Sequence, residues 1–257
     1  MHTWHWQTWE GLPYLTCSLL EPWLHGFFTQ QFWSRSPAEL VEVLHPTAEV
    51  YRVKQVHGNV VLTSSEISQQ AKTEETSLLP ADGVVTEQAV QSVWVASADC
   101  TPVLIADSRT GQVAAVHAGW RGTAAKIVTV AIARLQAQGS QLADLRIALG
   151  PAISGKVYQV STQVAAQVGA TIHDCSDEEL IINILQRLPD APIFPDPEPG
   201  RVRLDVRQTI ALQLQHLGIN LEQVAIAPYC TYQEPQCFFS YRRDQHKKVQ
   251  WSGIVSK

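Results

Sequence analysis

The chain has 257 residues, 45% hydrophobic and 17% charged, which is enough apolar material for a sizeable core and excludes intrinsic disorder. Lys and Arg total 19 against 24 Asp and Glu, a formal charge of −5, so no basic surface covers the molecule and nucleic acid is not an expected partner. Five cysteines without a C-x-x-C pair argue against a disulfide scaffold. No apolar run reaches the ~18 residues of a membrane span and Met1 to Glu10 lacks Lys and Arg, so a cytoplasmic protein with no membrane partner is expected.

Aromatic and polar residues alternate from Met1 to Glu21 around Glu10-Gly11-Leu12-Pro13, predicting a hairpin with Trp4 and Trp6 on one face. Ser36-Pro37-Ala38-Glu39 has the spacing of a capping box and starts a helix that runs to about Leu44. Short β-branched strands follow at 48–54, 60–63, 83–86, 93–96, 103–106 and 112–117, with the polar stretch Ser64 to Ser77 read as an exposed loop. Thr123 to Gln138 carries apolar residues at helical spacing and ends before Gly139.

Further on, 146–149 reads as a strand stopped by Gly150-Pro151, and 162–168 and 178–187 read as helices. Ala191 to Gly200 is Pro-rich and reads as a loop or lid, 204–217 as a helix and 224–227 as a strand; the tail from Cys230 reads as irregular. Without a repeat or composition shift, one α+β domain over 1–257, with mixed β-sheets and flanking helices, is the economical architecture.

Three segments place a soft or borderline metal ligand at a predicted strand end beside Gly or Asp: Lys54-Gln55-Val56-His57-Gly58, Ser97-Ala98-Asp99-Cys100 and His117-Ala118-Gly119-Trp120-Arg121-Gly122. Two His and one Cys form a three-ligand set, the number used by catalytic zinc sites that keep a position open. The same residues fit a metal-free Cys-His hydrolase or amidase, with Cys100 as nucleophile and His117 or His57 as base. The glycines of the third segment read as a tight turn from strand into a helix beginning near Thr123. An anion could bind at that turn, with Arg121 presenting a planar fork; a surface ion pair is the competing role for Arg121. Arg242 and Arg243 read as structural or electrostatic support. A multicopper oxidase needs about ten His in H-x-H pairs, and nine His with no such pair exclude it. G-x-S-x-G, Walker A, Rossmann and H-E-x-x-H patterns are all missing.

Taken together, these segments resemble the laccase-domain family of bacterial purine nucleoside phosphorylases, formerly labelled polyphenol oxidases. The resemblance runs from His25-Gly26-Phe27-Phe28-Thr29 through the three segments above, Ala81-Asp82-Gly83, Gly150-Pro151 and Leu204-Asp205 to Phe239-Ser240-Tyr241-Arg242-Arg243-Asp244. It implies zinc held by His57, Cys100 and His117, with copper able to compete in vitro, and purine nucleosides and phosphate as partners. It also implies phosphorolysis of adenosine, inosine, guanosine and methylthioadenosine, with adenosine deamination as a second activity. Deamination at zinc wants a carboxylate proton shuttle; no H-x-E is present, and Asp82 and Asp99 are the candidates. Three features depart from the family pattern: Gln30 to Val53 is short, Gln159 stands where Glu is common, and Gln245-His246-Lys247-Lys248 replaces the usual Gly and Thr-Gly-Arg. A non-catalytic relative is therefore a further alternative.

Overall fold

Strands apolar on both faces need a layer on each side, and the central strands of this chain are of that kind. In the computed structural model, which describes residues 2–71 and 78–257, they lie in two six-stranded sheets. The first sheet has the spatial order β1 (Trp4–Trp9), β2 (Leu12–Cys17), β3 (His25–Phe28), β15 (Gln250–Val255), β7 (Gln91–Ser97) and β4 (Glu49–Tyr51). The second runs β14 (Val224–Ile226), β10 (Leu145–Leu149), β8 (Thr101–Asp107), β9 (Val113–Ala118), β6 (Gly83–Val85) and β5 (Val61–Thr63). A small sheet holds β11 (Gln159–Ser161), β13 (Arg201–Leu204) and β12 (Ile193–Pro195).

Alternation assigns the faces. Leu104, Ala106, Val113 and Ala115 point into a core shared with Val93, Val95 and Ile254 of the first sheet, so the two large sheets pack face to face. Val103, Ile105, Ala114 and Val116 point the other way, onto α4 (Ile127–Ala137), α5 (Thr162–Gly169), α6 (Glu178–Gln186) and α7 (Val206–Leu217). The outer face of the first sheet is covered by α1 (Pro37–Leu44), where the Ser36 backbone N–H and hydroxyl both donate to the Glu39 carboxylate at 2.8 Å. This is the expected α+β architecture of mixed sheets flanked by helices. The N-terminal hairpin forms, with Trp4 against Phe27 and Trp6 against Tyr229.

Four expectations are corrected. Residues 64–71 are not loop but helix α2 (Ser64–Ala71), capped by a reciprocal pair in which Thr63 N–H donates to the Glu66 carboxylate at 2.8 Å and Glu66 N–H to the Thr63 hydroxyl at 3.3 Å; the rest of that predicted loop, 72–77, lies outside the described residues. The single helix expected over 123–138 is two, α3 (Trp120–Ala124) and α4, separated where Lys126 adopts φ 54°. The Pro-rich 191–200 stretch is not a free loop, because β12 pairs with β13 and Arg203 anchors Asp196 at 2.8 Å. The tail is not irregular throughout: it forms α8 (Tyr241–Asp244) and then β15, an interior strand between β3 and β7.

β15 fits because Gly253 faces the indole of Trp94, which occupies the space a Cβ would need. Gly253→Ala is therefore expected to destabilise the protein by about 2 kcal/mol through overpacking. Denaturant unfolding monitored by tryptophan fluorescence checks this, and an unchanged midpoint would contradict it.

Candidate metal centre and active site

The first sheet hands the chain to the second at two places, and both crossings carry a candidate ligand. His57 lies on the connection from β4 to β5, and Cys100 on the connection from β7 to β8. His117 is on β9 beside Pro102 of β8, so register delivers it to the same end. The ligand atoms of His57, Cys100 and His117 all lie within 4.8 Å of one another, with the two imidazoles perpendicular at 4.8 Å between centroids. His57 is exposed, Cys100 half-buried and His117 buried, so the group opens on one side.

Asp82, fully buried just before β6, organises this arrangement. Its carboxylate accepts the backbone N–H of Val56 at 3.2 Å, of His57 at 2.9 Å and of Gly58 at 2.7 Å. It also accepts His117 Nδ1–H at 2.9 Å, which leaves Nε2 as the free ring nitrogen. The same loop is clasped from the other side by Gln55, whose amide exchanges two hydrogen bonds of 2.7 Å with the backbone of Ala96. His57 is held at φ 63° and Asp99 at φ 95°, sparsely populated conformations costing roughly 1–3 kcal/mol each. Asp99 is fixed by accepting the Thr231 hydroxyl and the Arg242 backbone N–H, each at 2.7 Å. The carboxylates of both candidate proton shuttles, Asp82 and Asp99, are thus engaged in these hydrogen bonds.

The expected tight turn from strand into helix is present, with Gly119 alone between β9 and α3, although the helix begins at Trp120 and not near Thr123; what the glycines provide there is clearance. Gly119 has an ordinary φ of −80°, but a Cβ there would lie 2.9 Å from Cys100 Sγ. A Cβ on Gly122 would lie 2.9 Å from the carbonyl oxygen of Gly58. Arg121 sits inside α3, not before it, and a five-residue helix contributes little dipole, so any anion here rests on the side chain. Its guanidinium stacks on Trp120 at 4.4 Å and has no carboxylate partner among the described residues.

Burial works against ionisation of Cys100, yet hydrogen bonds and charge from His117 and His57 outweigh it and bring the thiol from 9 to about 6. Burial likewise opposes the charge on His117, and Asp82 and Cys100 overcome that, raising it to about 9. Without a metal, these opposite shifts favour a thiolate paired with a protonated His117; holding an ion at Nε2 requires that proton to leave. Tyr158 is pushed up to about 12, first by burial and then by the Cys100 charge, while Arg242 and Arg121 pull the other way. Arg242 lies 4.9 Å over the Tyr158 ring and donates to the Gln159 carbonyl at 2.9 Å. Arg243 donates to the carbonyls of Thr231, Tyr232 and Phe238 and pairs with Asp244, the structural role expected of it.

A cavity of about 430 Å3 opens beside His57, Cys100 and His117, walled by Val53, Leu78, Tyr241 and Trp251 and by Arg52, Lys54, Lys247 and Lys248. Sequence reading missed these cations because two segments far apart in the chain, 52–54 and 247–248, contribute them. His25, by contrast, is a core group: its Nε2 accepts Cys17 N–H and its Nδ1–H donates to the Trp23 carbonyl, both at 2.8 Å, and burial lowers it to about 4. Gln159 donates to both Asp196 and Glu198 at 3.0 and 3.1 Å, where a third carboxylate would be repelled.

A borderline, nitrogen- and sulfur-binding ion fits the donor set. The site has one thiolate, two imidazoles, one of them oriented by a carboxylate, and an open side; a tetrahedral ion with bonds of about 2.0–2.3 Å wants its donors roughly 3.5 Å apart. Among the described residues this is the one such group, too few ligands for a trinuclear copper cluster.

The chain belongs to the family described as multi-copper polyphenol oxidoreductase laccase, which matches residues 34–256. It is 51% identical to a purine nucleoside phosphorylase of Synechocystis sp. over 256 residues, 98% of this chain and 97% of that one. A purine nucleoside phosphorylase of Mycobacterium tuberculosis is 35% identical over 77% of this chain and 69% of its own. The crystal structure of YlmD from Geobacillus stearothermophilus superposes with a TM-score of 0.81 over 98% of both chains at 24% identity, showing the same fold. Among the described residues no helix is long and apolar enough to cross a membrane.

Because the thiolate fraction rises with pH, Cys100 in protein stripped of metal should be alkylated by iodoacetamide with a midpoint near pH 6, as against 9 for an ordinary thiol. His117→Asn removes the main group holding it down and should move that midpoint up. Mass spectrometry of the labelled peptide reads both, and a wild-type midpoint of about 9 would contradict the assignment.

Proposed function

We propose that this protein is a zinc-dependent purine nucleoside phosphorylase that releases the base from adenosine, inosine, guanosine and methylthioadenosine and leaves the corresponding ribose 1-phosphate. The observation that carries the reading is the convergence of His57, Cys100 and His117 on one cavity, in a chain 51% identical along its length to a relative of that name. Zinc is the metal of choice because the donors are imidazole and thiolate, with copper as a competitor in vitro. When bound, it supplies a fixed divalent charge and a Lewis acid beside the cavity. The five cysteines are all unpaired, as suits a reducing cytoplasm.

The chain's own residues account for the rest. Trp251 and Tyr241 offer aromatic faces to the purine. Arg121, free of any carboxylate among the described residues, presents its fork to orthophosphate, with Arg242 and the protonated Tyr158 hydroxyl beside it. An orthophosphate oxygen bonds to C1′ as the bond from C1′ to the base nitrogen breaks, and the base leaves with a proton. Preorganised cations stabilise the charge moving between nucleophile and leaving group. Adenosine deamination is the secondary activity.

One observation favours a second reading. Cys100, His117 and Asp82 are also ordered as a nucleophile, a base and its orienting carboxylate, the arrangement of a metal-free cysteine hydrolase or amidase. Inosine incubated with and without phosphate separates the two. The phosphorylase yields ribose 1-phosphate only with phosphate, binds about one zinc per chain, and loses both in a His57→Ala, Cys100→Ala variant. Free ribose appearing equally fast without phosphate would establish hydrolysis instead.

Arg121→Lys keeps charge without the fork and Arg121→Ala loses both, so activity should fall in that order, by about tenfold and about a hundredfold, with zinc content unchanged. Steady-state kinetics with phosphate varied checks this. Unaltered phosphate dependence in Arg121→Ala would move the anion site to Arg242 or elsewhere.

A further inference from the structure

The cavity beside the three ligands carries more positive charge than the proposed reaction uses. Arg52, Lys54, Lys247 and Lys248 all line it, and no Asp or Glu does. None of the four has an ion-pair partner among the described residues. Arg52 instead lies 5.7 Å over the Trp251 ring and Lys248 5.7 Å over Phe239. In a chain of net charge −5, four cations gathered without a counter-ion repel one another, and an anion of matching size relieves that repulsion.

The backbone delivers these groups deliberately. At the end of α8, Gln245 takes φ 57° and turns the chain back, so that 246–249 pass over the cavity before β15 begins with Gln250 paired to Ser97. Lys54 is pinned from the opposite side, where its N–H donates to the Leu79 carbonyl at 2.8 Å and its carbonyl accepts from Ala81 at 3.1 Å. Arg121 and Arg242 do not line this cavity; both are near Tyr158. Phosphorolysis of a neutral nucleoside needs one anion, and that pair serves it. The second set of cations is then left for an anion on the substrate itself.

We infer that Arg52, Lys54, Lys247 and Lys248 form a second anion subsite, which takes the 5′-phosphate of a purine nucleoside monophosphate whose base lies against Trp251. A phosphomonoester carries close to two negative charges near pH 7 and calls for several cations, which lysines supply as adaptable point charges. A cavity of about 430 Å3 is within the range of small-molecule sites. The chemistry rests on the phosphorylase reading: orthophosphate bonds to C1′, the bond from C1′ to N9 breaks with its electron pair going to the purine, the purine takes up a proton, and ribose 1,5-bisphosphate results.

Calorimetry with inosine and inosine 5′-monophosphate on the metal-loaded protein tests the subsite. The nucleotide should bind at least about tenfold tighter at low salt, the gap narrowing as salt is raised. In Lys247→Ala/Lys248→Ala, and separately in Arg52→Ala/Lys54→Ala, the gap should close to about threefold or less. Equal binding of the two ligands by the wild type overturns the proposal, as does a preference that survives in both double variants. A raised phosphate KM for inosine with the nucleotide preference intact also overturns it, since the lysines then hold the co-substrate. Base release from each compound, with and without phosphate, keeps the two readings apart. A binding gap with no phosphate-dependent release leaves the subsite standing and removes the phosphorylase reading; phosphate-dependent release from inosine with no gap does the reverse.

Discussion

The Asp82 carboxylate is the constraint on which the site depends. It is fully buried, and a buried carboxylate is tolerated only when its lone pairs are satisfied. Here three consecutive backbone N–H groups, from Val56 to Gly58, and one imidazole N–H satisfy them. The two demands are met together: the loop curls round the carboxylate, which aims His57, and the imidazole turns its other nitrogen to the cavity. Hydrogen bonds to charged groups contribute more than neutral ones, so each of these four contacts helps offset the strained backbone at His57.

The site's location follows from topology. Two sheets packed face to face must exchange their chain somewhere, and the connections from β4 to β5 and from β7 to β8 leave the parallel strands β4 and β7 at the same end. Loops that cross between layers cannot be covered by regular hydrogen bonding, so their polar groups are satisfied by side chains: Asp82 and Gln55 for one crossing, Thr231 and the α8 backbone bonding to Asp99 for the other. The segment 240–255 is thus bound into the centre twice, through Asp99 and through β15.

How much could be read beforehand depended on whether the signal was local. The strands of the second sheet announced themselves by β-branched runs buried on both faces, and Ser36 and Glu39 marked α1 by a capping pattern. The same pattern at Thr63 and Glu66 was obscured by the polarity of the residues that follow. β15 was illegible because its sequence, Gln-Trp-Ser-Gly-Ile-Val, has small and polar residues where a central strand usually has bulky ones. The reason lies in Trp94, which takes the volume that Gly253 gives up. The break at Lys126 had no glycine to mark it. The grouping of His57, Cys100 and His117 was suggested by family resemblance and not by spacing, since these residues are brought together by three separate strand ends. The cations of the cavity wall had no signature at all until the fold placed them.

Charge in the finished site is stratified. Asp82 and Asp99 are buried and the Cys100 thiolate half-buried, and left alone these negative groups would repel any phosphate approaching the cavity. Without a metal, a protonated His117 compensates part of that charge from within. Outward of it stand Arg121 and Arg242 on the Tyr158 side and four further cations round the cavity. Such an arrangement suits ligands of both signs at different depths: a cation among the inner donors, where thiolate and carboxylate raise affinity, and oxyanions at the rim, where arginine and lysine are partly hydrated and desolvation costs less. Neither layer would hold its ligand well if their order were reversed, because a carboxylate at the rim would reject phosphate and a lysine at the centre would reject a metal ion. With Asp82 and Asp99 turned into the fold and no carboxylate on the cavity wall, the order of charge suits an anion at the rim over a cation held deeper.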